Sequence, residues 1–184
     1  MRKLSVFNFT TVNGFCEGPG GDISWNIHDT EETDHAKTGL QADNILLFGR
    51  KTWQMMAGFW PTPMAMEQMP EVAAGMNRAE KIVFSNTLKD ANWNNSRIIG
   101  GDIGKVIREL KATPGKDLTI LGSGSIVTHF TDLGLIDAWQ IMINPVALGK
   151  GTPMFHGIKS KLNLKLVNSS IKKNGLVVLD YIPA

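Results

Sequence analysis

With 184 residues, 42% of them hydrophobic and 20% charged, the chain reads as one globular domain spanning residues 1–184, long enough to bury a core without staples. Nineteen Lys and Arg against seventeen Asp and Glu leave a net charge of +2, and the cations are scattered, which argues against a nucleic-acid surface. A single cysteine, Cys16, excludes an internal disulfide and fits a reducing compartment. Asn8, Thr10, Thr11 and Asn13 interrupt the first apolar run too early for a signal peptide, and no segment has the length of a membrane span. The expectation is a cytoplasmic protein with no membrane or nucleic-acid partner.

In chain order, residues 3–12 have the β-branched and aromatic content of a mostly buried strand, ended by Asn13-Gly14. A glycine-rich loop, Glu17 to Gly21, leads to Ile23-Ser24-Trp25-Asn26. A helix is expected from about Thr30 to Gln41, with Asp29 as N-cap and Glu32 as its capping-box partner. Ile45 to Phe48 is an apolar run suited to a strand buried on both faces, and Gly49-Arg50-Lys51-Thr52 marks its turn into a helix. Gly58-Phe59-Trp60-Pro61 breaks that helix; the methionine-rich stretch Met64 to Met76 is a short helix or a loop. Strands follow at 81–85 and 97–99, and then a helix capped by Asp102, with Ile103, Val106, Ile107 and Leu110 on one face. Leu118 to Leu121 is a strand running into Gly122-Ser123-Gly124-Ser125 and a helix to Leu133; 137–144 is a strand ended by Pro145. Two last strands, about 162–171 and 176–182, meet across Lys173-Asn174-Gly175 in a tight hairpin. Strands and helices alternate up to Leu133 and only strands follow, so the fold class is α/β, a mainly parallel sheet finished by an antiparallel C-terminal hairpin.

Two strand-to-helix turns are candidate anion sites, because a helix start presents unpaired N–H groups. Gly122 to Ser125 is not a dinucleotide fingerprint, since Val127 stands where a third glycine or alanine belongs, and a tight turn without ligand is the competing reading. Gly49 to Thr52 lacks the earlier glycine of a Walker A loop, at Asn44. Arg50 and Lys51 oppose the dipole of the helix they begin, which favours an anionic partner over a merely solvated helix start. Two such turns suggest a ligand with phosphates at two points, a groove with one turn at each end. The acidic run Asp29, Glu31, Glu32 and Asp34 with His28 and His35 lacks the spacing of a metal site and reads as a capped, solvated helix start. Trp25, Trp53, Phe59 and Trp60 either line a pocket for a flat ring or pack in the core.

Taken together, these motifs resemble the dihydrofolate reductase superfamily, in particular its branch containing the C-terminal reductase domain of riboflavin-biosynthesis enzymes. The resemblance covers nearly the whole chain. It rests on Thr11-Val12-Asn13-Gly14, Ser24-Trp25-Asn26, Gly49-Arg50-Lys51-Thr52-Trp53, Ile82 to Asn86, Leu121 to Ser125 and the run from Asn144 to Phe155. It implies a dihydrofolate-reductase-like three-layer fold and NADPH as hydride donor. Arg50 would meet the adenosine 2′-phosphate with help from Ser85 and Asn86, Gly49, Lys51 and Thr52 the pyrophosphate, and Gly122, Ser123, Gly124, Ser125 and Ile126 the other side of the cofactor. Asn13, Trp25, Trp53 and Trp60 would face substrate. Matching Trp25-Asn26 to the tryptophan-asparagine pair of the folate enzymes puts Thr30 where their carboxylate stands, so Asp29 is the candidate proton donor. Asn13 for the usual aspartate and Leu121 for a common glutamate depart from the riboflavin-type pattern. The resemblance implies an NADPH-dependent reductase of a small heterocycle, with a riboflavin-pathway reductase first and dihydrofolate reduction second. A nucleotide-binding protein without catalysis is the alternative of another class. A homodimer through the late strands is also suggested.

Overall fold

The computed structural model describes residues 1–27 and 43–184. The expected helix from Thr30 to Gln41, its cap Asp29 and the acidic run with His28 and His35 lie outside the described residues. Ten strands are described: β1 (Leu4–Thr11), β2 (Phe15–Glu17), β3 (Ile45–Gly49), β4 (Lys81–Phe84), β5 (Ser96–Ile99), β6 (Leu118–Leu121), β7 (Ala138–Asn144), β8 (Thr152–Pro153), β9 (Leu164–Ile171) and β10 (Val177–Pro183). Five α-helices accompany them: α1 (Arg50–Phe59), α2 (Pro63–Gln68), α3 (Pro70–Arg78), α4 (Ile103–Ala112) and α5 (Gly124–Asp132).

Eight strands form one sheet in the order β5-β4-β3-β6-β1-β7-β10-β9, and β2 pairs with β8 in a separate two-stranded piece. β1 lies parallel to β6 and β7, and β3 lies parallel to β4 and β6. Within this sheet, among the described residues, the antiparallel pairs are β7–β10 and β10–β9; the separate β2–β8 pair is antiparallel as well. The expected mixed sheet with an antiparallel end is therefore what the chain builds. At the hairpin the Lys172 N–H reaches the Leu176 carbonyl (2.8 Å) across a three-residue loop, with Gly175 at φ 89° supplying the left-handed position.

All five residues of β3 are buried, as a strand covered on both faces requires. Its side chains divide the core. Ile45 and Leu47 join Leu4, Val6 and Ile120 beneath Ile107 of α4 and Phe130 of α5, while Leu46 and Phe48 pack with Trp53 of α1 and Val72 and Met76 of α3. Helix, sheet and helix make the three layers. The methionine-rich stretch resolves into two helices, each opened by a proline at its first turn, Pro63 and Pro70. Thr62 caps the first by accepting from Ala65 N–H (3.2 Å), and Asp102 caps α4 by accepting from Lys105 N–H (2.9 Å).

Lys81 opens β4 with its side chain 1% exposed. Its ammonium donates to the carbonyls of Ala79 (2.6 Å), Asn94 (2.9 Å) and Asn77 (3.4 Å) and sits 4.4 Å from the Trp93 ring centre. Burial lowers its pKa from 10.5 to about 8, while the three carbonyls and the ring favour the charged form. The residue thus ties the carboxyl end of α3 to the chain entering β5. Lys81→Met is expected to lose about 2–4 kcal/mol in urea unfolding, because three partly buried hydrogen bonds made by the ammonium of a fully buried side chain are lost together. A loss within about 0.5 kcal/mol would show that these carbonyls find other partners.

Candidate active site

β3, β6 and β1 point their carboxyl ends toward one edge of the sheet, where a long cleft opens. Because β3 and β6 are neighbours, the turns that follow them are also neighbours. The Gly49 N–H donates to Ser123 Oγ (2.8 Å), joining the start of α1 to the start of α5. A Cβ on Gly49 would lie 3.4 Å from Ser123 Oγ, and one on Gly122 would lie 3.4 Å from Thr52 Cγ2. The two turns therefore lie together as one candidate anion site rather than at the two ends of a groove. Their strand order, which periodicity does not encode, is the reason.

Gly122 and Ser123 both adopt left-handed backbone, at φ 59° and 60°, and the peptide between them is trans. For a serine this conformation costs roughly 1–2 kcal/mol, and the bond to Gly49 holds it in place. Neither Gly49 nor Ser123 caps its own helix through a side chain, and neither helix has an acidic residue in its first turn. Thr62 and Asp102 cap α2 and α4, and the start of α3, which also lacks a side-chain cap, carries Glu71 in its first turn, so the starts of α1 and α5 are the ones open to an external anion with no carboxylate in their first turns. Ser123→Ala is expected to cost about 1–3 kcal/mol, since the strain stays and the Gly49 N–H loses its partner, whereas Ser123→Gly should cost less by relieving the strain. Thermal melts of both variants check the order; Gly less stable than Ala would overturn it.

Every residue expected at the cofactor, from Gly49 to Thr52, Ser85, Asn86 and Gly122 to Ile126, lines this cleft. The exposed Arg50 guanidinium donates to Gln54 Oε1 (3.2 Å) one turn along α1. Ser85 Oγ accepts from the N–H groups of Thr87 (3.1 Å) and Leu88 (2.9 Å), and Asn86 Oδ1 accepts from Gly101 N–H (2.8 Å). Those oxygens shape the turn after β4, so what the pair offers a phosphate is the Ser85 hydroxyl proton and the Asn86 NH2 group.

The four expected substrate residues separate. Trp60 lines the cleft, its ring edge-on to Phe59 with centroids 5.1 Å apart. Trp53 does not: it is 3% exposed in the core under α1, with its indole N–H on Ser96 Oγ (3.1 Å). Trp25 is not among the cleft-lining residues, and its indole N–H donates to the Asp22 carbonyl (3.0 Å). Asn13 is exposed and binds the Leu148 backbone through both ends of its amide (2.7 and 3.2 Å), tying the turn after β1 to the loop after β7. Phe59, one of the aromatics expected at a pocket for a flat ring, joins Trp60 along the apolar wall of the cleft, as do Met55 and Met56 of α1, which were not among the expected site residues. The signal was available in the sequence, since apolar residues at 53, 55, 56, 59 and 60 exceed one helix face.

The other wall comes from the β2–β8 pair and the loop Gly18 to Gly21. Thr152 Oγ1 donates to Glu17 Oε1 (2.8 Å), and Cys16 Sγ donates to the Thr152 carbonyl (3.3 Å). Burial and the Glu17 carboxylate push the Cys16 thiol up to about 11, so it is not a thiolate nucleophile. Among the described residues no group of three His, Cys, Asp or Glu could hold a metal ion, and no helix is long and apolar enough to cross a membrane. Asp29, the expected proton donor, lies outside the described residues. The chain enters that segment from Ile27, whose N–H donates to Oδ1 of the fully buried Asn144 (2.9 Å).

Residues 2–178 match the family model described as the RibD C-terminal domain. The chain belongs to that family. It is 34% identical over 182 residues to protein YyaP of Bacillus subtilis (strain 168), whose function is uncharacterized, covering 98% of this chain and 94% of that one. Among solved structures, a putative riboflavin biosynthesis protein from Shewanella sp. PV-4 superposes with a TM-score of 0.76 at 22% identity, over 99% of both chains. The deaminase/5-amino-6-(5-phosphoribosylamino)uracil reductase of Thermotoga maritima superposes at 0.70 with 16% identity, over all of this chain and 57% of that one. The mainly parallel sheet with its antiparallel end is thus the RibD reductase-like fold, and family membership marks the chain as an oxidoreductase-type domain.

Proposed function

We propose that the chain is an NADPH-dependent reductase of a small heterocycle, of the type that reduces 5-amino-6-(5-phosphoribosylamino)uracil. The observation that carries the reading is the joined pair of uncapped helix starts at Gly49 and Ser123, beside Arg50 and Lys51, on a cleft with an apolar wall. Open N–H groups and two cations suit a pyrophosphate with an additional phosphate near Arg50. When bound, the nicotinamide supplies the hydride. The chain positions the ring and its acceptor: Met55, Met56, Phe59 and Trp60 exclude water and offer flat apolar surface to a planar heterocycle. Asp29 is proposed to deliver the proton, and its chain is anchored at Ile27 by Asn144.

Titration with NADPH while following nicotinamide fluorescence tests the central claim. Saturable binding is expected, and none at millimolar cofactor would overturn it. Oxidation of bound NADPH with a panel of ribosylamino-pyrimidines, dihydrofolate and pterins then identifies the substrate; binding without oxidation by any of them would favour a nucleotide-binding protein. We further propose a homodimer through β9. Its support is that β9 ends the sheet order with Leu166, Val167 and Ile171 exposed, the character of an edge that pairs with another chain. Sedimentation equilibrium at micromolar concentration should give the dimer mass; a monomer would overturn this proposal.

A further inference from the structure

Asn8 is a polar residue in the middle of an otherwise apolar and hydroxyl-bearing strand, and 6% of it is exposed. On the alternation of β1 it continues the row of Leu4 and Val6, the face that packs under α5 and Met154. Its Oδ1 accepts from the Phe9 N–H (3.0 Å), which fixes the oxygen end of the amide and turns the NH2 group away from that backbone. That NH2 group is buried and has no hydrogen-bond partner among the described residues, yet Asn8 lines the cleft. A buried donor left unpaired is destabilising, and leucine of nearly the same size would remove the problem. Retaining asparagine makes sense where something entering the cleft accepts the bond.

Position says what that acceptor is, given the NADPH reading above, on which this inference rests. The anion site lies over β3 and β6. From it, Ser85, Asn86 and Gly101 line the cleft on the β4 side, the side proposed for the adenosine. The other half of a dinucleotide must then cross β1, the next strand beyond β6, where the Gly122 N–H already bonds the Phe7 carbonyl (3.2 Å). Strands lie about 4.8 Å apart, so β1 is one step from the pyrophosphate, the reach of a ribose and its ring. We infer that the Asn8 NH2 group donates to the carboxamide oxygen of the nicotinamide and so sets the orientation in which the ring is held. Phe9 N–H already occupies the side-chain oxygen, so the residue presents a donor and selects for a carbonyl.

Calorimetric titration of the whole chain tests this with NADPH, its thionicotinamide analogue, and 2′-phospho-ADP-ribose, which lacks the ring. Asn8→Leu is expected to weaken NADPH about tenfold, the scale of one buried hydrogen bond. It should leave 2′-phospho-ADP-ribose within about twofold, and raise the melting temperature of the ligand-free protein by removing the unpaired donor. Wild-type protein needs no substitution to report: the thionicotinamide analogue, whose sulfur is a poor acceptor, should bind about tenfold more weakly than NADPH. If wild-type protein binds 2′-phospho-ADP-ribose and NADPH but neither Asn8→Leu nor the sulfur analogue changes affinity, the role of Asn8 is overturned while the cofactor reading stands. If neither ligand binds wild-type protein, the cofactor reading falls and takes this inference with it.

Discussion

Arg50→Ala should weaken NADPH binding by about 10- to 150-fold, the scale of charge-assisted hydrogen bonds to one phosphate, and leave NADH within about threefold. The asymmetry follows from where Arg50 stands. It is exposed at the first position of α1, and its only described contact is the bond to Gln54, an i,i+4 surface pair worth about 0.2–0.5 kcal/mol. That bond is weak enough to give up. The same position opposes the helix dipole, so the ligand-free Arg50→Ala protein should melt no lower than wild type and gain up to about 1 kcal/mol. A residue that weakens a ligand's complex when removed yet does not support the fold is one kept for the ligand. Calorimetry with both cofactors checks it. Equal loss for NADPH and NADH would place the 2′-phosphate elsewhere.

Gly151→Ala is expected to reduce NADPH affinity at least about tenfold and to cost about 1–3 kcal/mol of stability through overpacking. A Cβ there would stand inside contact distance of the Glu17 carbonyl oxygen and 3.1 Å from the Phe15 ring, so β8 could not stay against β2. With that pairing go the Thr152 bonds to Glu17 and Cys16 that hold one wall of the cleft. Gly149→Ala is the control, because nothing lies within 4 Å of its new Cβ. Wild-type NADPH affinity in Gly151→Ala would mean that the β2–β8 pair does not shape the cofactor's side of the cleft.

Local signals carried much of the fold. Glycines after Phe48 and Leu121 marked where strands turn into helices, Asp102 capped its helix as its position implied, and Asn174-Gly175 closed the last hairpin. What local signals could not carry was adjacency. That Gly49 touches Ser123 depends on β6 pairing with β3, across 74 residues, and no period or composition states it. The tryptophans illustrate the same limit at shorter range. Trp53 and Trp60 lie on one helix and its last turn, yet Ser96 on β5 receives one in the core and the cleft receives the other. Thr62-Pro63 and Pro70 were legible helix starts that an abundance of methionine concealed. Asn8 was legible as an anomaly, a side chain whose chemistry disagrees with the strand around it.

The place of β1 in the sheet has a consequence for synthesis. Its two partners are β6 and β7, and Leu4 pairs with Leu118. At about 5–20 residues per second a ribosome needs roughly 6–23 s to pass from one to the other. For that interval β1, apolar and rich in aromatic and β-branched residues, has neither of its sheet partners to join. β3 and β4 can pair with each other earlier, so the nascent chain carries a partial sheet and a waiting strand. Inserting β1 beside β6 is a late, long-range event, the kind that slows folding and exposes a sticky segment. It also brings Phe7 against Gly122, so the candidate anion site reaches its final form only when β1 is captured by a strand made more than a hundred residues later.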